Sequence, residues 1–527
     1  MIYLIDNEAE ANQDTPYEHC KSLLSLSRQV LQKASNQRVH ICVIGQQLLA
    51  VGPSEAQVPA KAALIGLLRT LPYEYTEIRC QAIDVASLAD QQTLIRLSRQ
   101  LVLECLQDEP SESVVLRTGG RWIPQLCNQT IHAASNLSPL NQGLIRGQVS
   151  YLVLGGLSDI GLVMVQSIIE AGASRVVLTC DESMPPSDEQ HIRLDALRQN
   201  SGAEIEWVTL PIFDAQSITA LIERTASVAF PLAGVIDATD MHAVKPTGLV
   251  QALDDDDLNI YWQQHRHHLH ALGQALDPLA IDYCLVMSSL AAFIGGTGQL
   301  AGTVAGLYTQ AFAQQHNQSH TTPWFVAQWD AWSATDRDAI TPEEGGLAMR
   351  HLLSLDNPGL ILVATRSPLA KREQILTTKT TSALNKSHDT AALHQRPRLS
   401  TPMLAPETTT QKVVADIWQR FLGIETIGLD DDFFELGGNS LLAAQLLLEM
   451  KSTFGVAIDL GQFFTATNVR ILSDLVLATQ IDGAEPDELL QQLDALDKLS
   501  DEEVQAMLDQ GTLPEALMRQ LSDDERP

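Results

Sequence analysis

Apolar and polar positions follow two different periods along the chain, and the changes between them divide it into segments. Over residues 149–366, short apolar runs such as "YLVLGG" (151–156) and "LAGVIDA" (232–238) alternate with stretches whose apolar residues lie three or four apart. Buried strands produce the first pattern and amphipathic helices the second. Their repeated alternation predicts an α/β fold with a doubly wound parallel sheet.

The first 145 residues carry the same patterns less regularly. Buried strands are predicted at "HICVIG" (40–45) and "SVVLR" (113–117), and helices over 20–34 and 93–106. The segment "RTGGRWIPQL" (117–126) predicts a hairpin with a Gly-Gly turn.

Beyond residue 366 the pattern changes twice more. Residues 367–407 are rich in Thr, Ser, Pro and Lys without an apolar period, which predicts a linker. Helical spacing returns over 408–481. The tail, 482–527, has 14 Asp or Glu against 3 Lys or Arg, and its Leu, Val and Met spacing predicts short acidic amphipathic helices.

Charge and composition exclude several classes of function. The 527 residues carry a formal net charge of -31, which argues against nucleic acid and anionic lipid as partners. No apolar run is long enough for a membrane span, and the acidic first ten residues do not have the pattern of a signal peptide. The seven cysteines are scattered without a CxxC pair, as expected of reduced thiols. A cytoplasmic protein is therefore predicted.

The most specific segment is "DDDFFELGGNSLLAAQLLLEM" (430–450). Gly437 and Gly438 permit a tight turn, and Ser440 stands ahead of an apolar helical stretch. Such a serine can simply cap the helix. The same geometry would also place a phosphodiester on its hydroxyl against free backbone N–H groups, at the positive end of the helix dipole.

The "LGGNSL" turn resembles the phosphopantetheine site of carrier proteins. The likeness extends over 396–475, which resembles a carrier domain of a hybrid polyketide or peptide synthetase, linker included. The resemblance implies an all-α four-helix-bundle carrier over 408–481, with 4′-phosphopantetheine attached to Ser440 by a phosphopantetheinyl transferase. In the preceding loop we expect Phe434 and Leu436 in the core and Asp431 on a solvated face.

A second resemblance covers the region before the linker. Three segments together resemble the ketoreductase (KR) domain of modular polyketide synthases, a relative of short-chain dehydrogenases. They are "SYLVLGGLSDIGLVMVQSIIEAGASRVVLTCD" (150–181), "IDYCLVMSSLAAFIGGTGQLAGTVAG" (281–306) and "VAQWDAW" (326–332). This implies a Rossmann-like KR half-domain over 146–366 and a truncated structural half-domain over 1–145. Such half-domains usually open with more strands, so we expect either a protein encoded apart from its upstream ketosynthase or a shortened chain.

The expected NADPH turn departs from the family pattern. Where the family has Thr-Gly-Gly-x-Gly-Gly-x-Gly, residues 154–161 read "LGGLSDIG". The glycines that remain are Gly155, Gly156 and Gly161. Asp159 places a carboxylate where a diphosphate should lie, and Asp181 replaces the usual arginine for the 2′-phosphate. Pro211 stands where an Asp usually contacts adenine. We therefore predict that NADPH is absent.

The catalytic positions depart in the same way. Reduction of a ketone needs a proton donor at its oxygen, usually a tyrosine tuned by a lysine and assisted by a serine. Ser289 matches the serine, but Gly302 and Gly306 stand where the family has its Tyr and Asn. No lysine occurs between Lys245 and Lys371. The sequence predicts an inactive domain in which Ser289 is an ordinary strand-end residue. Trp329 and Trp332 are expected to serve packing.

Two further clusters have simple explanations. The run "HRHHLH" (265–270) places His265 three residues before His268, and His267 three before His270, a spacing that could bind Zn²⁺. A solvated helix face is the favoured explanation, so no metal site is predicted. The "DDDD" run (254–257) is expected to form a solvated loop or a helix start.

Three hypotheses follow. The leading one is the end of a polyketide synthase module, in which a non-catalytic KR-like scaffold precedes a carrier that works with a ketosynthase and other synthase domains. The second is a working reductase with relocated residues, such as Tyr308 or His265. The third is a module that recruits trans-acting synthase enzymes, with the acidic tail as a docking segment.

Overall fold

The computed structural model divides the chain into two units, residues 1–388 and 389–527. The described residues are 2–5, 15–33, 38–52, 54–75, 77–86, 91–107, 110–117, 119–127, 145, 148–182, 187–211, 214–226, 230–239, 245–333, 338–353, 355, 359–376, 396–397, 399, 401–422, 424–436, 438, 440–456, 458 and 460–482. The predicted acidic helices beyond 482 and about half of the predicted linker lie outside them.

The first half-domain is a sheet of parallel strands with a short antiparallel edge. Its elements are β1 (Ile2–Leu4), α1 (Thr15–Lys33), β2 (Val39–Gly45), α2 (Pro59–Glu74), β3 (Ile78–Val85), α3 (Gln91–Cys105), β4 (Ser113–Arg117) and β5 (Gly120–Trp122). The strands lie in chain order, and only β5 runs antiparallel to its neighbour. The predicted strands at 40–45 and 113–117, the two predicted helices and the hairpin are confirmed.

Strand β3 and helix α2 were not predicted. Strand β3 reads "IRCQAIDV", and its Gln81 and Asp84 are fully buried. Asp84 accepts hydrogen bonds from the backbone N–H of Leu48 at 2.5 Å and from Arg117 Nη1 at 2.6 Å. Polar residues inside a strand hide its apolar pattern when their partners come from other segments.

The second half-domain contains the predicted doubly wound sheet. Its strands are β6 (Ser150–Leu154), β7 (Arg175–Asp181), β8 (Glu204–Leu210), β9 (Leu232–Asp237), β10 (Tyr283–Ser289), β11 (Trp324–Trp329) and β12 (Leu360–Val363). They are all parallel, in the order β12-β11-β10-β9-β6-β7-β8. The order reverses between β6 and β9, and sheets of this kind bind ligands at the carboxyl ends of the strands beside that point.

Helices cover this sheet. They are α4 (Asp159–Glu170), α5 (Asp188–Ser201), α6 (Ala215–Thr225), α7 (Asp255–Leu276), α8 (Ala291–Ile294), α9 (Leu300–Ser319), α10 (Pro342–Leu352) and α11, helical over 368–376. The sequence predicted a linker from 367 and no helix there. Helix α11 is tied to the unit by ion pairs, from Lys371 to Asp330 and from Arg372 to Glu112.

The two half-domains share one hydrophobic core, which includes Leu64 and Leu68 of α2 and Leu300 of α9. Helices α2 and α9 approach closely at Gly66, where a Cβ would lie 2.8 Å from the backbone of Val304. Both carboxylate oxygens of the buried Glu74 accept backbone N–H groups from the other half-domain, from Val250 at 2.7 Å and from Gly298 at 3.1 Å.

Two more side chains of α2 reach the second half-domain across this contact between the half-domains, which we call the joint. Arg69 Nη1 donates to the carbonyl of Ala292 and the Tyr73 hydroxyl to that of Ile294, each at 2.6 Å. The loops around the end of β10 are therefore held by side chains of the first half-domain.

The second unit is helical. Its helices are α12 (Thr409–Leu422), α13 (Ser440–Phe454), α14 (Leu460–Thr465) and α15 (Val469–Asp482). Trp418, Phe433 and Phe463 form an aromatic core, with Phe433 edge-on to the other two rings at 5.0 and 5.2 Å between centroids. Among the helices of either unit that the structure describes, none is long and apolar enough to cross a membrane.

Substitution by alanine should change the free energy of unfolding in opposite directions at two helical glycines, one at the joint between α2 and α9 and one outside it. Alanine in place of a helical glycine normally raises the free energy of unfolding by about 0.5–1 kcal/mol. Gly273→Ala should do so, because its new Cβ would meet only ordinary contacts at 3.6 Å. Gly66→Ala should instead lower the free energy of unfolding by about 1–3 kcal/mol, since the methyl group overpacks the joint. Urea unfolding of the intact chain measures both, and equal stabilisation by the two variants would contradict a tight joint.

Candidate functional site

The glycine-rich turn after β6 stands beside the point where the strand order reverses. Gly155 adopts a positive φ of 69°. A Cβ on Gly161 would lie 2.6 Å from Gly156 Cα, and one on Gly156 would lie 2.7 Å from Leu178 Cβ. The three remaining glycines are thus required by the packing of the turn itself, whether or not it holds a cofactor.

The two residues that replace family glycines alter the start of α4. Ser158 caps the helix: its hydroxyl accepts the N–H of Gly161 at 2.9 Å and donates to the carbonyl of Gly155 at 2.8 Å. Asp159 is the first residue of the helix, and its exposed carboxylate lies 3.4 Å from Arg193 Nη1. A helix start binds phosphate through free N–H groups and its positive dipole end. Here a hydroxyl occupies one N–H and a carboxylate stands at the positive end, so these residues do not fit a diphosphate.

The serine position and the tyrosine position lie at the end of β10 and the start of α9. Ser289 is the last residue of β10, and its hydroxyl accepts the N–H of Ala291 at 3.2 Å. At Gly302, a Cβ would lie 3.4 Å from Lys245 Cδ and 3.7 Å from Lys245 Nζ. A side chain at 302 would therefore begin in ordinary contact with the side chain of Lys245.

The asparagine position is closed by packing. A Cβ on Gly306 would lie 2.6 Å from Ala292 Cβ and 2.8 Å from Ser288 Oγ. A side chain at 306 would require these groups to move, whereas a Cβ at 302 would meet only ordinary contacts.

Tyr308 and His265, the two residues considered as relocated catalysts, are both buried. Tyr308 is 4% exposed, and its hydroxyl lies 3.1 Å from His270 Nε2. Burial raises the pKa of Tyr308 above its usual value. His265 is also buried, with Nε2 2.8 Å from the hydroxyl of Thr309. Six residues beyond Gly302, Tyr308 lies on another face of α9.

The expectation that "HRHHLH" forms a solvated face is wrong for two of its four histidines. His265 and His268 are each 1% exposed, because this side of α7 packs against α9 and the sheet. His268 Nε2 lies 2.7 Å from Asp237 Oδ2 at the end of β9. Burial alone would raise the pKa of Asp237, but the charge and hydrogen bond of His268 hold it below the usual value.

Two other expectations for this unit are confirmed. The "DDDD" run starts α7: Asp254 is its N-cap and accepts the N–H of Asp256 at 2.8 Å. Trp329 is fully buried and lies 5.2 Å from Trp332, centroid to centroid, so both serve packing.

In the helical unit, Ser440 is the first residue of α13. Gly437, Asn439 and the side chain of Ser440 lie outside the described residues. Gly438 is held against the aromatic core: its N–H donates to the carbonyl of Phe433 at 2.9 Å, and a Cβ there would lie 2.5 Å from that same oxygen. The loop is thereby anchored two residues before Ser440.

The expectation that Asp431 lies on a solvated face is wrong. Its side chain is fully buried and accepts Arg396 Nε and the N–H of Gly428, each at 2.7 Å. Burial alone would raise the pKa of Asp431, but these hydrogen bonds hold it below the usual value. Leu436 is buried as expected and Phe434 is half-buried.

Known families match both units. Residues 149–334 match the family described as KR domain, and residues 412–476 match the phosphopantetheine attachment site. Among solved structures, a C2-type ketoreductase from a modular polyketide synthase aligns with a TM-score of 0.56 at 21% identity, over 68% of this chain and 76% of that one. A ketoreductase domain from the bacillaene assembly line aligns with a TM-score of 0.54 at 16% identity, over 70% and 88%. At these identities the likeness shows the fold.

The curated relatives are polyketide synthases. The chain is 27% identical over 361 residues to one of the phenolphthiocerol/phthiocerol polyketide synthase proteins of Mycobacterium tuberculosis, over 67% of this chain and 19% of that protein. It is 22% identical over 485 residues to polyketide synthase PksL of Bacillus subtilis, over 84% and 10%. The chain therefore spans a fifth or less of these relatives' own lengths.

The ion pair of the buried Asp431 with Arg396 should make the stability of the helical unit depend on pH. Because the folded-state pKa of Asp431 is lowered, its contribution to stability is present above the unfolded value of about 3.9 and is lost as the pH falls through the folded value. Asp431→Asn should lower the free energy of unfolding of the helical unit by about 2–4 kcal/mol at pH 7 and weaken its loss of stability below pH 5.

The measurement is hydrogen exchange of α12 and α15 in urea, on the intact chain. Asp430→Asn is the matched control, since Asp430 pairs with Arg470 at the surface and should leave the midpoint nearly unchanged. Equal effects of the two variants would contradict the role of burial.

Proposed function

We propose that this chain, which joins a KR domain to a phosphopantetheine attachment domain, acts as the C-terminal part of a polyketide synthase module. The carrier would hold acyl intermediates as thioesters on an arm attached to Ser440. The KR domain would serve as architecture, without transferring hydride itself.

The observation that carries the proposal is the position of Ser440. It begins a helix of fifteen residues inside the segment that matches the attachment site, directly after a loop anchored on Phe433. The first N–H groups of a helix and its positive dipole end stabilise a phosphodiester. The serine hydroxyl would attack the β-phosphorus of coenzyme A and lose its proton, while 3′,5′-ADP leaves with the electron pair of the broken P–O bond.

A tethered acyl group is presented to neighbouring domains at a high effective concentration. In this role the carrier requires a phosphopantetheinyl transferase once and a ketosynthase or other synthase domains in each cycle. None of these requires the chain's own KR domain to be active.

Several features support a KR domain without reductase chemistry. Gly302 offers no phenol as proton donor. Gly306 packs against Ser288 and Ala292, and the turn over 154–161 does not fit a diphosphate. A reductase would need NADPH bound at that turn and a proton delivered at the ketone oxygen, and the residues present favour neither.

Attachment at Ser440 is tested by intact mass. Incubation with coenzyme A and a phosphopantetheinyl transferase should add the mass of one phosphopantetheine to the wild-type chain and nothing to Ser440→Ala. Ser452→Ala, on the same helix, is the matched control and should be modified as fully as wild type. Modification of Ser440→Ala would contradict the assignment.

Loss of reductase chemistry is tested with NADPH and a β-ketoacyl thioester. Wild type should show no thioester-dependent oxidation of NADPH. Gly302→Tyr alone should restore none, because position 306 stays closed by packing and the turn over 154–161 does not fit a diphosphate. Calorimetry should find that Asp159→Gly binds NADPH more tightly than wild type, since it removes a carboxylate from the helix start. Turnover by wild type would overturn this part of the proposal and leave the carrier function standing.

A further inference from the structure

A cluster of three metal-ligating side chains lies at the far end of α9 from the degenerate KR site. Asp277 directly follows α7, His316 is in the last turn of α9, and His320 directly follows that helix. One ligand atom from each lies within 4.8 Å of the others. The sequence run "HNQSH" (316–320) places the two histidines four residues apart, the spacing of a pair on one helix face.

The two distances from the histidine nitrogens to Asp277 suit metal ligands. His316 Nε2 lies 3.4 Å from Asp277 Oδ1, and His320 Nε2 lies 3.2 Å from Oδ2. The N–H···O hydrogen bonds of proteins lie between about 2.7 and 3.2 Å, so these contacts stand at or beyond the upper limit. Two ligand atoms that are each about 2.05 Å from a tetrahedral ion are about 3.3 Å apart.

The ring nitrogens are oriented for ligation. His316 is 6% exposed, and its Nε2 is buried without a hydrogen-bond partner among the described residues. His320 Nδ1 lies 3.2 Å from the carbonyl of His316 and 3.0 Å from the hydroxyl of Ser319. In the tautomer whose Nδ1–H donates to that carbonyl, the lone pair of His320 is on Nε2, facing the carboxylate. A backbone carbonyl that holds the second ring nitrogen is the usual support of a metal-binding histidine.

The surroundings favour a cation. The carboxyl ends of α7 and α9 converge here, each with a partial negative charge, and Asp277 adds a full one. The His316 ring is fixed between the stacked His320 ring at 4.1 Å and Trp324 at 4.8 Å.

We propose that Asp277, His316 and His320 form a binding site for a divalent transition metal such as Zn²⁺. Two imidazoles and a carboxylate suit this class of ion. Asp277 and His320 are partly exposed, which leaves at least one position for water. The ion would join the carboxyl end of α7 to that of α9. Fourteen residues separate His316 from Gly302, about 21 Å along the helix, so the site is distinct from the KR site.

The test uses Co²⁺ as a spectroscopic probe, with Zn²⁺ as competitor, on the full chain without an affinity tag. Wild type should bind one Co²⁺ with visible absorption that Zn²⁺ abolishes. Asp277→Asn and His320→Gln should each weaken binding about tenfold or more. These two side chains are partly exposed, so both variants should keep the wild-type circular dichroism.

His267→Gln, an exposed histidine of α7 outside the cluster, is the matched control and should bind Co²⁺ as wild type does. Two results would overturn the proposal: a wild type that binds no Co²⁺ with a visible spectrum, or binding that falls equally in His267→Gln. Neither result bears on Ser440 or on the reductase positions.

Discussion

The arrangement of the α/β unit depends on one buried carboxylate. Glu74 stands at the end of α2, and each of its oxygens accepts a backbone N–H from the other half-domain, at Val250 and at Gly298. A buried carboxylate without partners would be strongly destabilising, and so would the two buried N–H groups. The requirement is met only when both loops lie against α2. The positions of the loops that border the end of β10 are therefore set by the first half-domain.

The close approach of α9 is the consequence. Gly66 lets the helix contact α2 on one side, and Gly306 lets it contact α8 and the end of β10 on the other. A reductase needs room on this last side for a phenol, an amide and a substrate. Here Ala292 and Ser288 fill the space that a side chain at 306 would need, while a Cβ at 302 would meet Lys245 only in ordinary contact. The close contacts at Gly66 and Gly306 thus keep the core around α9 well filled.

In the helical unit, too, buried side chains fix the position of a loop. Its loop before Ser440 is held in place by side chains of the core, and Ser440 begins α13. Phe433 anchors the loop in an aromatic core, and Asp431 secures it through Arg396 from the predicted linker. The linker residues next to the carrier are consequently part of its structure. The linker residues next to the α/β unit, in α11, are likewise part of that unit.

Local pattern determined much of this protein. The alternation of strands and helices, the hairpin at 117–126, the start of α7 at Asp254 and the helix that begins at Ser440 could all be predicted, because each depends on neighbouring residues. The burial of His268 and Asp431 could not. Their partners, Asp237 and Arg396, lie more than thirty residues away in the sequence. A polar side chain is stable in a core only where the tertiary structure supplies such a hydrogen-bond partner. The grouping of Asp277 with His316 and His320 was decided in the same way, since only the packing of α7 against α9 brings the two helix ends together.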